Sequence, residues 1–137
     1  MKSRVTLQEG MAFDAELDGF NFTLDAAESV GGQNKGPKPK GLTLTSLAGC
    51  TAMDVISILR KMRAEPDEFY VETEAEVSEE HPMVFTSIKI TYYFRGENVT
   101  REKAEKAVSL SEERYCGVSA MLRQAAPITT EIIIDND

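Results

Sequence analysis

The sequence contains two cysteines, and each lies beside sequence that is typical of a helix. Cys50 lies within an apolar stretch, and Cys116 lies at the junction between two helical segments. Two thiols that are far apart in sequence suggest a redox pair. The alternative is that both are small apolar core residues, since free cysteine is among the most buried residue types.

The neighbours of the two cysteines predict different environments for them. Cys50 shares one side of its predicted helix with Ser46, Asp54 and Ser57, so it is predicted to lie at the edge of a polar cleft. The Asp54 carboxylate would disfavour a thiolate there. Cys116 begins a helical segment, where unpaired backbone N–H groups favour a thiolate. Local physics therefore predicts the lower pKa for Cys116.

We expect no metal and no cofactor. The cysteine spacing matches no CxxC or zinc template, and the one histidine, His81, lies in an acidic turn that is predicted to be exposed. A hydrolase or acyl carrier that uses Cys50 as a covalent nucleophile is also disfavoured, because it would need a neighbouring general base.

Length, composition and charge restrict the class of protein. The chain has 137 residues and 42% hydrophobic content, which predicts one domain over residues 1–137. Its net charge of -8 disfavours nucleic acid and anionic membranes as partners. No leader sequence and no apolar run of membrane-spanning length are recognised, so a cytoplasmic protein is expected. Cysteines there are more often catalytic, sensing or inert than permanently bridged.

The hydrophobic patterns predict an α+β fold with the element order β-β-β-α-β-β-α-α-β. Strands are predicted over 4–8, 12–18, 21–26, 69–78, 84–95 and 129–134. Helices are predicted over 42–63, from a cap at Thr100 onward, and over 116–125. The long helix, which carries Cys50, is expected to be central.

A breaker-rich connection over residues 29–40 precedes the long helix and is expected to be exposed and mobile. It carries Lys35, Lys38 and Lys40, so positive charge collects there although the chain is acidic. A solvated loop is the plainer interpretation of these lysines.

Three segments carry the motifs of a known family: Gly36–Pro39 followed by Leu42, Leu47–Val55, and Glu113–Leu122. They closely resemble the OsmC/Ohr proteins, named for osmotic induction and organic hydroperoxide resistance. The resemblance spans nearly the whole chain and is closest to the OsmC-like branch.

The resemblance implies an OsmC-like fold in which antiparallel sheets from two subunits wrap around the long central helices of an intertwined homodimer. It also implies a peroxidase of oxidative stress defence that reduces organic hydroperoxides. By that resemblance Cys50 is the peroxidatic cysteine, which becomes a sulfenic acid, and Cys116 is the resolving cysteine. A dithiol reductant then reopens the disulfide.

The chain departs from the family pattern at the position of an activating acid. The family has a glutamate shortly after the proline that precedes the central helix, where this chain reads Pro39-Lys40-Gly41-Leu42. The arginine that pairs with that glutamate is not recognised either. Lys40 or Lys38 is our hypothesis for the replacement charge.

Two function classes remain open from the sequence. The first is the hydroperoxide reductase, for which Met53, Met62 and Met121 could line an apolar pocket, although methionines at helical spacing are usually core residues. The second is a catalytically weak redox sensor or small-molecule-binding protein that keeps the fold and both cysteines.

Overall fold

The computed structural model describes residues 1–136 and has the predicted element order. The strands are β1 (Ser3–Leu7), β2 (Phe13–Leu17), β3 (Phe20–Leu24), β4 (Glu68–Val77), β5 (Phe85–Arg95) and β6 (Ile128–Asp135). The α-helices are α1 (Pro39–Lys61), α2 (Arg101–Leu110) and α3 (Gly117–Arg123). A 3₁₀ turn covers Glu28–Val30 and a π-helical turn covers Ser111–Tyr115. The α+β prediction is therefore confirmed.

The chain divides into two compact units. The first unit is Met1–Thr43, and the second begins at Leu44.

The first unit contains an antiparallel sheet in the order β1-β2-β3. The hairpin between β2 and β3 turns at Asp18 and Gly19, both with positive φ, as the Asp-Gly pair predicts. The register aligns Val5 with Ala15 and Phe22 on one face, and the neighbouring positions on the other face are polar. The sheet is thus amphipathic, with one apolar face.

The connection after β3 is exposed, as expected, but its backbone is tied to the end of that strand. The buried Asp25 carboxylate accepts hydrogen bonds from the backbone N–H groups of Gln33 and Lys35, which lower the pKa of Asp25. Gly36 packs so closely on the Thr23 carbonyl that a Cβ atom would overlap it. Because α1 begins at Pro39, Lys40 lies in the first turn of a helix and not in this connection.

The second unit has a sheet in the order β4-β5-β6, in which β6 runs parallel to the central strand β5. One face of β5 is fully buried and alternates with exposed or half-buried positions, as a half-covered strand should. Cross-strand ring pairs hold β4 to β5: Phe69 stacks on Phe94 at 4.9 Å, and Tyr70 stacks on Tyr93 at 4.6 Å.

Helix α1 contributes one buried stripe to the core of this unit, at Leu47, Thr51, Val55 and Leu59. These positions are four residues apart, which places them on one face of a helix. By length and composition alone α1 could cross a membrane, so the expectation that no run reaches that length was wrong. Its buried stripe packs in a hydrophobic core, and no membrane is indicated.

Candidate functional site

The second unit brings the two cysteines together although 66 positions separate them in the sequence. Both are free thiols; Cys50 is half-buried and Cys116 is buried. Their Sγ atoms and a carboxylate oxygen of Asp54 all lie within 4.8 Å of one another. A disulfide needs the two sulfurs at about 2.05 Å, so they would have to move closer together to form one.

Cys116 is held in place by the turn that precedes it and the helix that follows. Its N–H donates to the Ser111 carbonyl at 2.7 Å, which closes the π-helical turn. Cys116 is also the N-cap of α3, and its Sγ accepts the Ser119 N–H at 3.3 Å. The predicted helix start is therefore correct. Wide turns of this kind are frequent at functional sites.

The predicted low pKa of Cys116 is not observed. The pKa of the Cys116 thiol is raised to about 11, and burial is the main cause. The hydrogen bond with Cys50 also raises this pKa, and its effect is larger than the lowering caused by the N–H of Ser119. Only 3% of Cys116 is exposed, so the charged form loses most of its hydration. The sequence argument counted the helix N-terminus but did not include this desolvation.

Asp54 lies one helical turn after Cys50 and is positioned by a residue that the sequence analysis did not assign to the site. Its Oδ2 accepts a hydrogen bond from the hydroxyl of Ser111 at 3.0 Å. The polar edge predicted beside Cys50 thus includes Asp54 and Ser111, while Ser46 and Ser57 are exposed.

A line of buried hydroxyls extends from Ser111 away from the thiols. The oxygen atoms of Ser111 and Thr51 are 2.9 Å apart, and those of Thr51 and Tyr92 are 2.6 Å apart. The Tyr92 hydroxyl also reaches Oε1 of Glu112 at 3.0 Å. Desolvation is the main reason that the pKa of Tyr92 is strongly raised, so the phenol stays protonated. In the sequence, these residues could have been found as polar side chains at positions that the hydrophobic pattern of their helix or strand predicts to be buried.

The line of hydroxyls has one contact more than it has protons. Four oxygen–oxygen contacts join Asp54 to Glu112, and the hydroxyls of Ser111, Thr51 and Tyr92 supply three protons. Ser111 donates to Asp54 and Tyr92 donates to Glu112. Thr51 has one proton for its two contacts, so it is the member whose loss leaves the others satisfied.

Glu112 joins this line to α3 and β6. The Thr130 hydroxyl donates to its Oε1 at 2.7 Å, and Nη2 of Arg123 lies 3.8 Å from its Oε2. Arg123 also donates to the hydroxyl of Ser119 at 3.1 Å. Arg123 thus contacts Ser119 and Glu112, which lie on either side of Cys116 in the sequence.

The lysines and methionines singled out from sequence lie elsewhere. Lys38 and Lys40 belong to the first unit, and activation of Cys50 by either one stays a prediction. Met62 packs against the core of the second unit, as the plainer interpretation holds. Met53 and Met121 are 73% and 65% exposed, so in the single chain they face solvent.

Comparisons with known proteins agree with this fold. The family model described as OsmC-like protein matches residues 32–131. Protein YhfA of Escherichia coli strain K12 is 35% identical to this chain over 130 residues, which cover 94% of each. The crystal structure of a hypothetical protein from Aquifex aeolicus VF5 has a TM-score of 0.87 at 26% identity, with 99% of this chain and 96% of that chain covered.

A more distant structure carries a redox description. It is an organic hydroperoxide resistance protein OsmC from Legionella pneumophila, also described as a predicted redox protein. It has a TM-score of 0.72 at 15% identity, and 97% of each chain is covered. At that identity the likeness shows the fold alone.

Proposed function

Because the chain belongs to the OsmC-like protein family, we propose that it is a thiol-dependent peroxidase that reduces organic hydroperoxides in oxidative stress defence. The family and its redox-described neighbours suggest a stress-related redox function, and the hydroperoxide substrate is the proposal's own addition. The observation that carries it is the pair of free thiols, Cys50 and Cys116, within 4.8 Å.

The different exposure of the two cysteines supports the proposed roles, with Cys50 as the peroxidatic and Cys116 as the resolving cysteine. Cys50 is half-buried, so a hydroperoxide can reach it, whereas Cys116 is 3% exposed. The thiolate of Cys50 attacks the terminal peroxide oxygen, the O–O bond breaks, and the alkoxide leaves as an alcohol after taking a proton. The sulfur of Cys116 then attacks the Cys50 sulfenic acid, which releases water and forms the disulfide. A dithiol reductant restores both thiols.

The hydrogen bond between the thiols supports this order of events. The pKa of Cys116 is raised, so this thiol keeps its proton near neutral pH and acts as the donor toward the Cys50 sulfur. A hydrogen bond donated to the charged form of a group favours that form. A reducing compartment such as the cytoplasm fits two cysteines that are both free.

A homodimer is part of the proposal. The apolar face of the first sheet stays exposed in the single chain, and Phe20 is the clearest example at 74% exposure. Met53 and Met121 are also exposed apolar side chains, on α1 and α3. A second copy that covers these exposed apolar side chains would remove them from water.

The test is to mix the reduced protein with cumene hydroperoxide and a dithiol, and to follow peroxide loss. We expect consumption by the wild type and by the control Ser57→Ala, an exposed position on α1. Cys50→Ser should lose consumption. Cys116→Ser should accumulate the Cys50 sulfenic acid, detected by mass after trapping with a dimedone-type reagent.

Two results would count against the proposal. Wild-type protein that leaves the peroxide unchanged and keeps both thiols free is not a peroxidase. A single stoichiometric disulfide without turnover in the presence of dithiol would instead favour the redox sensor, the second function class that the sequence leaves open.

A further inference from the structure

Three metal-ligating groups of the second unit converge on one point. Cys50 and Asp54 come from successive turns of α1, and Cys116 comes from the N-terminus of α3. One donor atom of each lies within 4.8 Å of the other two. Only the fold brings them together, which is why the spacing of the cysteines gave no metal motif. The sequence argument against a metal counted cysteines and histidine and left out Asp54.

The donor set is that of a thiophilic divalent cation. Zn²⁺ binds cysteine sulfur at about 2.3 Å and carboxylate oxygen at about 2.0–2.2 Å, usually with four ligands in a tetrahedron. Ligand atoms of such a site are roughly 3.3–3.8 Å apart, a spacing that follows from those bond lengths. The three donors lie within 4.8 Å of one another, so a cation would have to draw them together by about 1 Å or less. Two thiolates favour Zn²⁺ over Mg²⁺ or Ca²⁺, which prefer oxygen ligands.

Two neighbouring groups hold the donors in orientation. The buried hydroxyl of Ser111 donates to Oδ2 of Asp54 at 3.0 Å, which leaves the other carboxylate oxygen for a ligand bond. The backbone N–H of Ser119 donates to the Cys116 sulfur at 3.3 Å. Hydrogen bonds of this kind orient metal ligands and set their affinity. Both donors are neutral, so a bound cation would be the group that balances the anionic ligands.

Access to the site is one-sided. Cys116 is buried, whereas Cys50 and Asp54 are half-buried, so a fourth ligand can approach from their side. Three protein ligands and one open position for water are the arrangement of an exchangeable zinc site and not of a closed structural one.

We propose that the reduced protein binds one Zn²⁺ per chain through Cys50, Asp54 and Cys116, with water as the fourth ligand. Binding releases the two thiol protons. The two-electron oxidation of both sulfurs to a disulfide by a hydroperoxide consumes two protons, gives the alcohol and water, and releases the Zn²⁺. Metal binding and disulfide formation therefore exclude each other at this site.

The experiment is a calorimetric titration of Zn²⁺ into untagged protein that has been reduced with a phosphine and freed of metal. We expect one Zn²⁺ per chain, and Co²⁺ in its place should give the charge-transfer and tetrahedral bands of sulfur ligation. Cys50→Ser, Cys116→Ser and Asp54→Asn should each weaken Zn²⁺ binding by about tenfold or more, and Ser111→Ala by about tenfold. The matched control is Glu113→Gln, an exposed acid near Cys116, which should bind as the wild type does.

The disulfide form of the wild type keeps the proposal testable if a variant fails to fold, because its sequence is unchanged. Zinc binding of equal strength before and after oxidation would overturn the proposal, as would unchanged binding by a folded Cys50→Ser or Asp54→Asn variant. The titration contains no peroxide. Zinc binding without peroxidase activity would thus contradict only the proposed function. Peroxidase activity without zinc binding would contradict only the proposed zinc site.

Discussion

The groups around the sulfur of Cys116 have opposite effects on its pKa. The N–H of Ser119 and the helix that follows favour a thiolate, whereas burial and the hydrogen bond with Cys50 favour the thiol. Burial is the largest of these effects, and it raises the pKa to about 11. A helix of seven residues contributes a weak dipole compared with the cost of removing a charge from water.

The first prediction at this scale concerns alkylation of the reduced protein. Iodoacetamide should modify Cys50 before Cys116 near neutral pH, because Cys50 is more exposed and only the thiolate reacts. The rate for Cys116 should rise roughly tenfold per pH unit as its thiolate fraction grows, and should level off near its pKa of about 11. A time course of peptide masses over a pH series measures both rates.

Cys50→Ala is the control for the origin of this slow rate. It removes the hydrogen bond between the thiols but leaves Cys116 buried, so Cys116 should still react slowly near neutral pH. Rapid alkylation of Cys116 in that variant would show that burial is not the main cause. If the alkylation rate of Cys116 in the wild type levelled off at a much lower pH, that result would contradict the raised pKa itself.

At the scale of elements, a line of hydrogen-bonded hydroxyls connects α1, β5 and the π-helical turn near the thiols. Thr51 lies on α1, Tyr92 on β5, and Ser111 at the start of the π-helical turn. All three are fully buried. The threonine has one proton for two contacts, whereas Ser111 and Tyr92 each have a carboxylate to donate to. The three hydroxyls therefore do not contribute equally to stability.

This inequality predicts different costs for two buried substitutions. Ser111→Ala removes the donor to Asp54 and should lower the free energy of unfolding by about 1–2 kcal/mol. Thr51→Val leaves Ser111 bonded to Asp54 and Tyr92 bonded to Glu112, so it should cost less than about 1 kcal/mol. Urea unfolding of the reduced proteins measures both.

The exposed hydroxyl of Ser57 provides the reference for this comparison, since Ser57→Ala should leave the unfolding free energy within about 0.5 kcal/mol of the wild type. If Thr51→Val were the more damaging of the two buried substitutions, the assignment of donors along the line would be wrong.

Much of the fold could be predicted from the sequence because its elements have strong local signals. The Asp18-Gly19 turn and the Thr100 cap are both observed, and the cap accepts the Lys103 N–H. The start of α1 was placed three residues late, since proline reads as a helix breaker although it is favoured in a first helical turn.

The site was only partly predictable. The two cysteines and Asp54 were recognised on their helices, but no local pattern gives a distance between elements that are 66 residues apart. The proximity of the thiols, and the roles of Ser111 and Tyr92, depend on tertiary packing. The same packing reversed the predicted pKa of Cys116, because burial is not visible from its immediate neighbours.

At the scale of the whole molecule, the apolar face of the first sheet stays largely uncovered. The exposed large side chains on that face are Val5, Leu7, Leu17, Phe20 and Phe22. Monomeric soluble proteins seldom leave such a continuous apolar surface in water. A second copy of the chain is the occupant that the proposed homodimer provides.

The prediction at this scale is a dimer that depends on this face. Light scattering after size exclusion should give twice the chain mass of 15.2 kDa. Phe20→Ser should shift the protein toward monomer at low micromolar concentration, because it removes the most exposed aromatic ring of the face.

Asn21→Ser is the matched control, since Asn21 is the next residue of β3 and lies on the polar face of the sheet. It should leave the mass unchanged. A wild type that runs as a monomer over the full concentration range would remove the homodimer from the proposal, and a dimer insensitive to Phe20→Ser would move the interface elsewhere.

The parallel pairing of β6 with β5 also affects how the protein is made on the ribosome. The sheet β1-β2-β3 needs only neighbouring hairpins, so it can form as soon as Leu24 has emerged. The second sheet is complete only after Ile128–Asp135 has been synthesised, because that strand lies beside β5. Until then β5 has one unpaired edge, and the nascent chain carries open strands at both of its ends. An open strand edge can pair with another chain, so the late arrival of β6 leaves β5 open to aggregation during synthesis.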